Sequence, residues 1–327
     1  MVAMDLTGEQ VLVTGGAGFI GSHLVESLLR LGALVTVYDN FDDFYPGKES
    51  NLTGAKANPM FRLIAANILD RDKLAAAMKE KSVVFHLAAQ AGIRYCNDLP
   101  TKANEVNATG TMNVMLAARD CGVKRVVYAS SSSLYGEPMR VPMDEDHPLN
   151  PTSIYGATKL AGEKYCMALG QSFGIQTTCL RYFSVYGPRG RPDQVISSFG
   201  SKVMRRQRPV IYGDGSHSRD FTFVSDVVSA TIFSATRDDN QSQIINVGYG
   251  KEFKISEVAK KVIKYFGFDV EIDFREESLG DFPRTLCDNA KARSLLSWRP
   301  HVDFDHGLKQ ELDWLVRVNA AQVVAKD

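Results

Sequence analysis

Residues 11–22 read VLVTGGAGFIGS, a β-rich run that passes through closely spaced glycines into a helical pattern. In this strand–turn–helix context Gly15 allows a tight turn, Gly18 lets the backbone approach a pyrophosphate, and Gly21 lets helix and strand pack closely. A phosphate bound there would meet free amides and the positive end of a helix dipole. A glycine-rich turn without a ligand would show the same residues, so the residues that follow decide between the two.

An acidic residue follows at the distance that a dinucleotide site requires. Asp39 ends the next β-rich run, 18 residues after Gly21. Its carboxylate would accept hydrogen bonds from ribose hydroxyls and repel a 2′-phosphate, which predicts NAD rather than NADP as the cofactor. Since ligands of such folds lie beyond the carboxyl ends of parallel strands, the predicted cofactor site also includes residues near the strand ends: Phe19, Ile20, Asn40, Asn67, Ile68, Leu87, Ala88, Ala89 and Gln90.

Short β-rich runs alternate with helical patterns through the first half of the chain. The patterns predict strands at 11–13, 34–38, 61–64, 83–87, 125–128 and 176–182, and helices at 20–31, 71–78, 104–121 and 154–173. This alternation predicts an α/β fold, a Rossmann doubly wound parallel sheet with helices on both faces.

The alternation of strand and helix patterns ends after Tyr182, where loops rich in glycine, proline and charged residues begin. A helix at 226–234 and a strand at 244–247 then indicate a return to the first domain. We therefore predict a Rossmann NAD-binding domain of residues 1–182 plus about 226–250. A smaller, interleaved α/β substrate domain would comprise about 183–225 plus 251–327.

Composition bounds the possible functions. Lys+Arg and Asp+Glu are both 38, which gives no basic footprint for nucleic acid. Apolar runs fall short of the roughly 18 residues of a membrane span, and the first ten residues lack a signal-peptide pattern. Five scattered cysteines without a Cys-x-x-Cys pair are typical of reduced thiols in a cytoplasmic protein. The six histidines show no ligand spacing, so we expect no metal site.

A tyrosine and a lysine form the predicted catalytic pair. Tyr155 and Lys159 are four residues apart on a predicted helix, so both side chains project from one face. An ammonium beside a phenol lowers its pKa from about 10, which would make Tyr155 a general base for a substrate hydroxyl. The spacing also occurs by chance in amphipathic helices. Its position after a strand that ends in four serines, residues 130–133, favours the catalytic interpretation, because a serine hydroxyl there can bond the same substrate oxygen.

With these elements in place, the chain resembles the extended short-chain dehydrogenase/reductase family, and within it the nucleotide-sugar 4-epimerases. The segments that carry the resemblance occur in family order: TGGAGFIGSHLVE, HLAAQ, YASSSSLYG, YGATKLAGE, LRYFSVYGPRGRPD, GDGSHSRDFTFVSDVV and NVG. The resemblance implies that Tyr155 takes the proton of the sugar O4 while NAD takes the C4 hydride and later returns it to the other face. It also implies that Ser131 and Lys159 are the catalytic partners of Tyr155, and that Tyr155 and Lys159 contact NAD.

The residues of the serine loop distinguish this chain from the dehydratases and decarboxylases of the same family. Family dehydratases carry an Asp-Glu pair at the positions of Ser132 and Ser133, and decarboxylases carry Glu at the position of Ser133. The chain is most similar to UDP-glucuronate 4-epimerases, in which hydroxyls at the positions of Ser132, Ser133 and Ser184 cradle the C6 carboxylate. UDP-glucose and UDP-N-acetylglucosamine stay open as substrates, since hydroxyls also suit a neutral C6.

The resemblance further assigns the UDP group and the assembly. Arg191, Arg219 and Asp281 match the family's nucleotide-binding positions, with Tyr212 as a candidate for the uracil pocket. Helices at 104–121 and 154–173 would form a four-helix homodimer contact, although core packing produces the same stripes. Two other functions stay open: a nucleotide-sugar dehydrogenase or reductase that releases NADH, and a non-catalytic NAD sensor.

Overall fold

The computed structural model describes residues 5–237, 241–276 and 282–324. Its strands are β1 (Gln10–Thr14), β2 (Leu34–Asp39), β3 (Phe61–Ala65), β4 (Val83–His86), β5 (Arg125–Ser131), β6 (Gln176–Tyr182), β7 (Val185–Tyr186), β8 (Val210–Tyr212), β9 (Ser218–Asp220), β10 (Thr222–Phe223), β11 (Gln243–Val247), β12 (Glu252–Lys254) and β13 (Asp273–Arg275). Its α-helices are α1 (Phe19–Arg30), α2 (Thr53–Lys56), α3 (Arg71–Met78), α4 (Ile93–Asp98), α5 (Pro100–Asn104), α6 (Gly110–Asp120), α7 (Ile154–Phe173), α8 (Val195–Met204), α9 (Val224–Ala235), α10 (Ile255–Phe266), α11 (Ala290–Leu296) and α12 (Phe304–Val324).

Seven parallel strands form the central sheet in the order β3-β2-β1-β4-β5-β6-β11. Because both faces of a parallel sheet are covered by helices, its strands are apolar on both sides. In β1, for example, Val11 and Val13 join the core beneath α1 and α9, whereas Leu12 joins the core beneath α3 and α6. The predicted Rossmann fold is confirmed, and the strand order reverses between β1 and β4, where such folds bind their ligands.

The later part of the chain contributes both to this sheet and to smaller ones. β11 pairs with β6 from Gln243 opposite Thr178 to Val247 opposite Tyr182, and α9 packs against α1. The remaining strands form two-stranded sheets, β7 with β10, β8 with β13, and β9 with β12. This arrangement favours the interleaved division, whose boundaries stay a prediction. Of the helices in the described residues, none has the length and hydropathy needed to cross a membrane.

One predicted helix, 104–121, differs from the structure. It is divided into α5, a π-helical turn at Glu105–Thr109, and α6. Inside the turn, the Asn107 side chain accepts from Gln90 N at 2.7 Å and donates to Gln90 O at 2.9 Å and to Thr158 Oγ1 at 3.0 Å. Such turns are frequent at functional sites, and this one ties the end of β4 to the first turns of α7.

Candidate active site

The glycine turn after β1 has the shape that the sequence predicts. Gly15 has φ +70°, and a Cβ on it would lie 2.6 Å from Ala88 N, in the loop after β4. Only glycine accepts both that backbone conformation and that approach. Gly18 is the N-cap residue of α1 and gives it no side-chain cap, and no acidic residue stands in the first helical turn. The start of α1 therefore suits a bound anion.

Asp39 joins this turn to the end of β2. Its Oδ2 accepts from Ala17 N at 3.0 Å and its Oδ1 accepts from Phe41 N at 2.9 Å. Burial raises the pKa of Asp39, while these amides and the nearby Lys48 oppose the rise. Each carboxylate oxygen can accept a second hydrogen bond, so the group can hold the glycine turn and still receive a ribose hydroxyl.

All of the predicted cofactor residues line one cleft at the carboxyl ends of the strands. They are Gly15, Gly18, Phe19, Ile20, Gly21, Asp39, Asn40, Asn67, Ile68, Leu87, Ala88, Ala89, Gln90, Tyr155 and Lys159. The close approach at Gly15, the start of α1 without an acidic residue and the carboxylate at the end of β2 fit a dinucleotide. Sequence reasoning missed other residues that line the cleft: Tyr38, Asp42, Phe44, Tyr45, Lys48, Ala66, Ala91, Val106, Ala129, Ser130 and Tyr182. Several of them end a strand, which is a signal that could have found them.

The serine loop lies against the start of α7. Ser131 Oγ accepts from Ser133 N and donates to Ser133 Oγ, both at 3.1 Å, and Ser131 is near enough to Tyr155 to oppose the rise of its pKa. Ser153 caps α7 by accepting from Gly156 N at 3.1 Å. A Cβ on Gly156 would lie 2.5 Å from Ser133 O, so the missing side chain lets the helix bring Tyr155 close to the loop. The structure thus brings Tyr155 and Ser131 together as predicted.

The electrostatics of Tyr155 correct the sequence analysis. The predicted lowering of the Tyr155 pKa by Lys159 is wrong for this structure, because burial raises the pKa of Tyr155 overall. The largest opposing influences on the Tyr155 pKa are the charge of Arg191 and the hydrogen bond to Ser131. The Lys159 ammonium lies over the Tyr128 ring, 4.1 Å from its centre, and burial lowers the pKa of Lys159 to about 8.

Arg191→Gln should move the pH profile of turnover to higher pH. As the predicted base, Tyr155 would act only when deprotonated, and removing the Arg191 charge leaves the pKa of Tyr155 higher. The rising limb of kcat against pH therefore shifts to the alkaline side, and the rate below that limb falls. The exposed Arg205→Gln variant is the control. If the rising limb of kcat against pH did not move in Arg191→Gln, Arg191 would have no influence on the pKa of Tyr155.

A buried ion pair joins α7, the helix that carries Tyr155 and Lys159, to β6. Glu163, one turn after Lys159 on α7, accepts from Arg181 Nη2 at 2.6 Å, from Arg181 Nε at 3.0 Å and from Ser130 Oγ at 2.7 Å. The side chains of Arg181 and Glu163 are 2% and 0% exposed. Breaking a buried pair leaves an uncompensated charge and costs about 3–5 kcal/mol.

Arg181→Met should therefore lower the free energy of unfolding by about 3–5 kcal/mol in urea denaturation. Arg140→Met is the matched control, since the Arg140–Asp144 pair is 51% and 42% exposed, and it should cost less than about 1 kcal/mol. Equal losses in the two variants would contradict the account of the buried pair.

Only some of the predicted substrate residues line the cofactor cleft. Ser131 lies opposite Tyr182 in the β5–β6 register, so Ser184 follows at the neighbouring strand end. Arg191 lines the cofactor cleft, where it is paired with Asp193 at 2.9 Å. Tyr212 is covered by Arg94, whose guanidinium lies 4.3 Å from the ring centre, and Arg219 lies in β9; neither Tyr212 nor Arg219 lines that cleft. Asp281 lies outside the described residues.

The cleft has the geometry of a dinucleotide site beside a tyrosine and a serine, and comparisons with known proteins identify the family of the chain. Residues 11–248 match the NAD dependent epimerase/dehydratase family. The UDP-glucose 4-epimerase of Mycolicibacterium smegmatis is 36% identical, over 93% of this chain and 98% of the relative. The UDP-glucuronate 4-epimerase of Thermodesulfobacterium geofontis is 35% identical, over 93% of this chain and 95% of the relative.

A solved structure agrees with these relatives. The UDP-glucuronic acid 4-epimerase of Bacillus cereus, in complex with UDP-glucuronic acid and NAD, superimposes with a TM-score of 0.91 at 32% identity. The match covers 94% of this chain and 99% of the Bacillus cereus chain. The chain belongs to the NAD-dependent epimerase/dehydratase family. The predictions of an enzyme and of NAD as its cofactor are thereby confirmed.

Proposed function

We propose that the protein is a UDP-sugar 4-epimerase that converts UDP-glucuronate to UDP-galacturonate. The observation that carries the proposal is the loop at Ser131–Ser133, which lies against Tyr155 and offers hydroxyls only. A loop without an acid supports proton transfer at the sugar C4 hydroxyl, but it provides no second acid for elimination or loss of carbon dioxide. The relatives named above, whose names include UDP-glucose and UDP-glucuronate 4-epimerases, support the same class of reaction.

In the proposed reaction Tyr155 accepts the proton of the C4 hydroxyl during oxidation and returns it during reduction, so that protons balance over the cycle. Ser131 Oγ, which donates to Ser133 Oγ in the absence of substrate, turns its one proton to the same sugar oxygen when the sugar binds. Bound NAD supplies the hydride acceptor at C4 and then the hydride donor. Arg191 favours the phenolate form of Tyr155, and Lys159 adds a second positive charge to the cleft. The 4-keto sugar turns over between the two half-reactions, so no net oxidation results.

The preference for a C6 carboxylate is assigned to three neutral donors, Ser132, Ser133 and Ser184. Ser133 Oγ already accepts from Ser131 Oγ, which leaves its own proton free to donate. Ser184 follows the adjacent strand end, so its hydroxyl can approach from the other side of the sugar. Neutral donors bind a carboxylate without the acidic groups that promote decarboxylation.

Ser184→Ala should raise the KM for UDP-glucuronate by about tenfold or more, because hydrogen bonds to charged groups contribute about 1.5–3 kcal/mol. The KM for UDP-glucose, which has no carboxylate, should change much less. Ser172→Ala, on the outer side of α7, is the control. Equal effects of Ser184→Ala on both substrates would withdraw the role of Ser184 in carboxylate binding.

Product analysis tests the function as a whole. The purified protein is incubated with UDP-glucuronate, UDP-glucose and UDP-N-acetylglucosamine in parallel, and the products are resolved by NMR while absorbance at 340 nm is followed. UDP-galacturonate without NADH build-up supports the proposal. Conversion of the neutral sugars alone keeps the 4-epimerase and removes the carboxylate preference, whereas UDP-xylose or accumulating NADH contradicts the reaction class. A non-catalytic NAD sensor would turn over none of the three.

We also propose a homodimer through a four-helix contact of α6 and α7 with their copies. These two helices pack side by side, and α7 carries an accessible stripe at helical spacing: Ile154, Ala157, Ala161, Tyr165 and Ala168. Sedimentation should give a dimer for the native chain and a monomer for Ala161→Glu, which places a charge within the stripe. A monomeric native chain would refute this contact.

The five free cysteines support a reducing, cytoplasmic location.

A further inference from the structure

The segment after β2, residues 41–50, runs across the mouth of the cofactor cleft, and we call it the strap. Four of its side chains, Asp42, Phe44, Tyr45 and Lys48, line the cleft. The strap begins directly after Asp39 and Asn40, beside the proposed ribose site. Three sets of contacts hold the strap in place.

The first anchor is an ion pair to α5. Lys102 Nζ lies 2.7 Å from Asp42 Oδ2 and also donates to Tyr95 Oη at 3.1 Å. The Asp42 side chain is 17% exposed, and the hydrogen bond from Lys102 lowers the pKa of Asp42 against the opposing effect of burial. The Lys102 side chain is 37% exposed, so the pair is half-sheltered, and solvent screens it less than a pair in which both partners are open.

The second anchor is aromatic. The Phe44 ring meets the Tyr95 ring edge-on with centroids 4.5 Å apart, and the Arg191 guanidinium lies 5.9 Å from its centre. A Cβ on Gly92 would lie 3.0 Å from the Phe44 ring, so the loop after β4 is shaped to receive that ring. The strap thus starts at the end of β2 and is fastened to α4, α5 and the Arg191 loop on the far side of the cleft.

The third contact is at the start of α1. Tyr45 Oη accepts from Phe19 N at 2.9 Å, and a Cβ on Gly18 would lie 3.4 Å from that hydroxyl. Phe19 N is one of the amides that a pyrophosphate at this helix start would use, so a bound pyrophosphate would take this amide over from Tyr45 Oη. Burial raises the pKa of Tyr45 to about 12, so the phenol is neutral at physiological pH and can donate its proton to a phosphate oxygen.

We propose that the strap closes over bound NAD and sets its lifetime on the enzyme, with Asp42–Lys102 and Phe44 as its fasteners and Tyr45 as a pyrophosphate ligand. NAD then leaves only when these contacts open together. The inference depends on NAD binding and not on the identity of the sugar. An enzyme that oxidises and reduces one substrate in each cycle needs its cofactor to stay bound through that cycle.

The test measures the release of NAD in the absence of any sugar. The protein is loaded with radiolabelled NAD, chased with excess unlabelled NAD, and sampled for retained label. Asp42→Asn and Phe44→Ala should each release NAD about tenfold faster or more. Asp43→Asn removes the neighbouring, exposed carboxylate and should release NAD at the native rate. Wild-type release rates in both Asp42→Asn and Phe44→Ala would overturn the proposal.

Two further variants separate a fastened strap from general loosening of the fold. Lys102→Met removes the hydrogen bond to Tyr95 as well as the ion pair to Asp42, so it should release NAD at least as fast as Asp42→Asn, and the double variant should be no faster than Lys102→Met. Tyr45→Phe should weaken equilibrium NAD binding by several fold at an unchanged melting temperature. Faster release that tracks a lower melting temperature in every variant, Asp43→Asn included, would also overturn the proposal.

Discussion

Tyr155→Phe is expected to lose nearly all turnover while it keeps NAD. The substitution removes the phenolic oxygen that would take the C4 proton, and it keeps the ring that fills the half-buried position at the start of α7. General acid–base catalysis contributes roughly 10²–10⁴-fold in rate, so kcat should fall by about that factor. NAD content after purification and the melting temperature should both match those of the native protein.

Tyr165→Phe is the matched control for this prediction. Tyr165 lies on the same helix, but its side chain is 37% exposed, does not line the cleft and belongs to the proposed dimer stripe. We expect native kcat for this variant. Turnover of Tyr155→Phe at the native rate would show that Tyr155 is not the base and would leave the serine loop without a partner in the reaction.

Gly15→Ala is expected to abolish NAD binding and to destabilise the fold. An alanine at φ +70° is strained by about 1–2 kcal/mol. Its methyl group would also lie 2.6 Å from Ala88 N and 2.8 Å from Leu87 C, both backbone atoms that cannot rotate away. The turn or the loop after β4 must therefore shift, and both line the cofactor cleft. Titration calorimetry should show NAD affinity reduced at least about a hundredfold.

Gly174→Ala separates backbone strain from contact. Gly174 ends α7 at φ +69°, and a Cβ there would have no atom within 4 Å. The variant should therefore show the conformational cost alone, about 1–2 kcal/mol in urea denaturation, with native NAD affinity. If Gly15→Ala and Gly174→Ala were equally stable and bound NAD equally well, the close approach at Gly15 would be irrelevant to the cofactor.

Much of this site could be predicted because the responsible signals are local. The glycine turn, the acidic end of β2 and the strand ends recur at fixed spacing in dinucleotide folds, so the sequence alone predicts that residues from Gly15 to Lys159 line one cleft. Gly156 shows the limit of such reasoning. Its role depends on the 2.5 Å approach of Ser133 O, a contact that its own sequence neighbourhood does not encode.

The remaining features depend on residues far apart in the chain. The strap follows Asp39 as an ordinary polar loop, and its path is set by Tyr95, Lys102 and Arg191. The pKa of Tyr155 is governed by burial and by Arg191, 36 residues away, whereas the sequence spacing pointed to Lys159. The π-helical turn around Asn107 has the same apolar periodicity as an unbroken helix, so its pattern could not reveal it.

The most direct test of the central claim follows the hydrogen at C4. UDP-glucuronate deuterated at C4 is incubated with the protein in ordinary water, and the product is examined by NMR and mass spectrometry with absorbance at 340 nm recorded. The account predicts UDP-galacturonate that keeps its deuterium at C4, because the hydride is removed and returned without exchange with solvent, and no accumulation of NADH. Deuterium lost to water, or NADH formed in step with an oxidised product, would contradict a 4-epimerase that works through retained NAD.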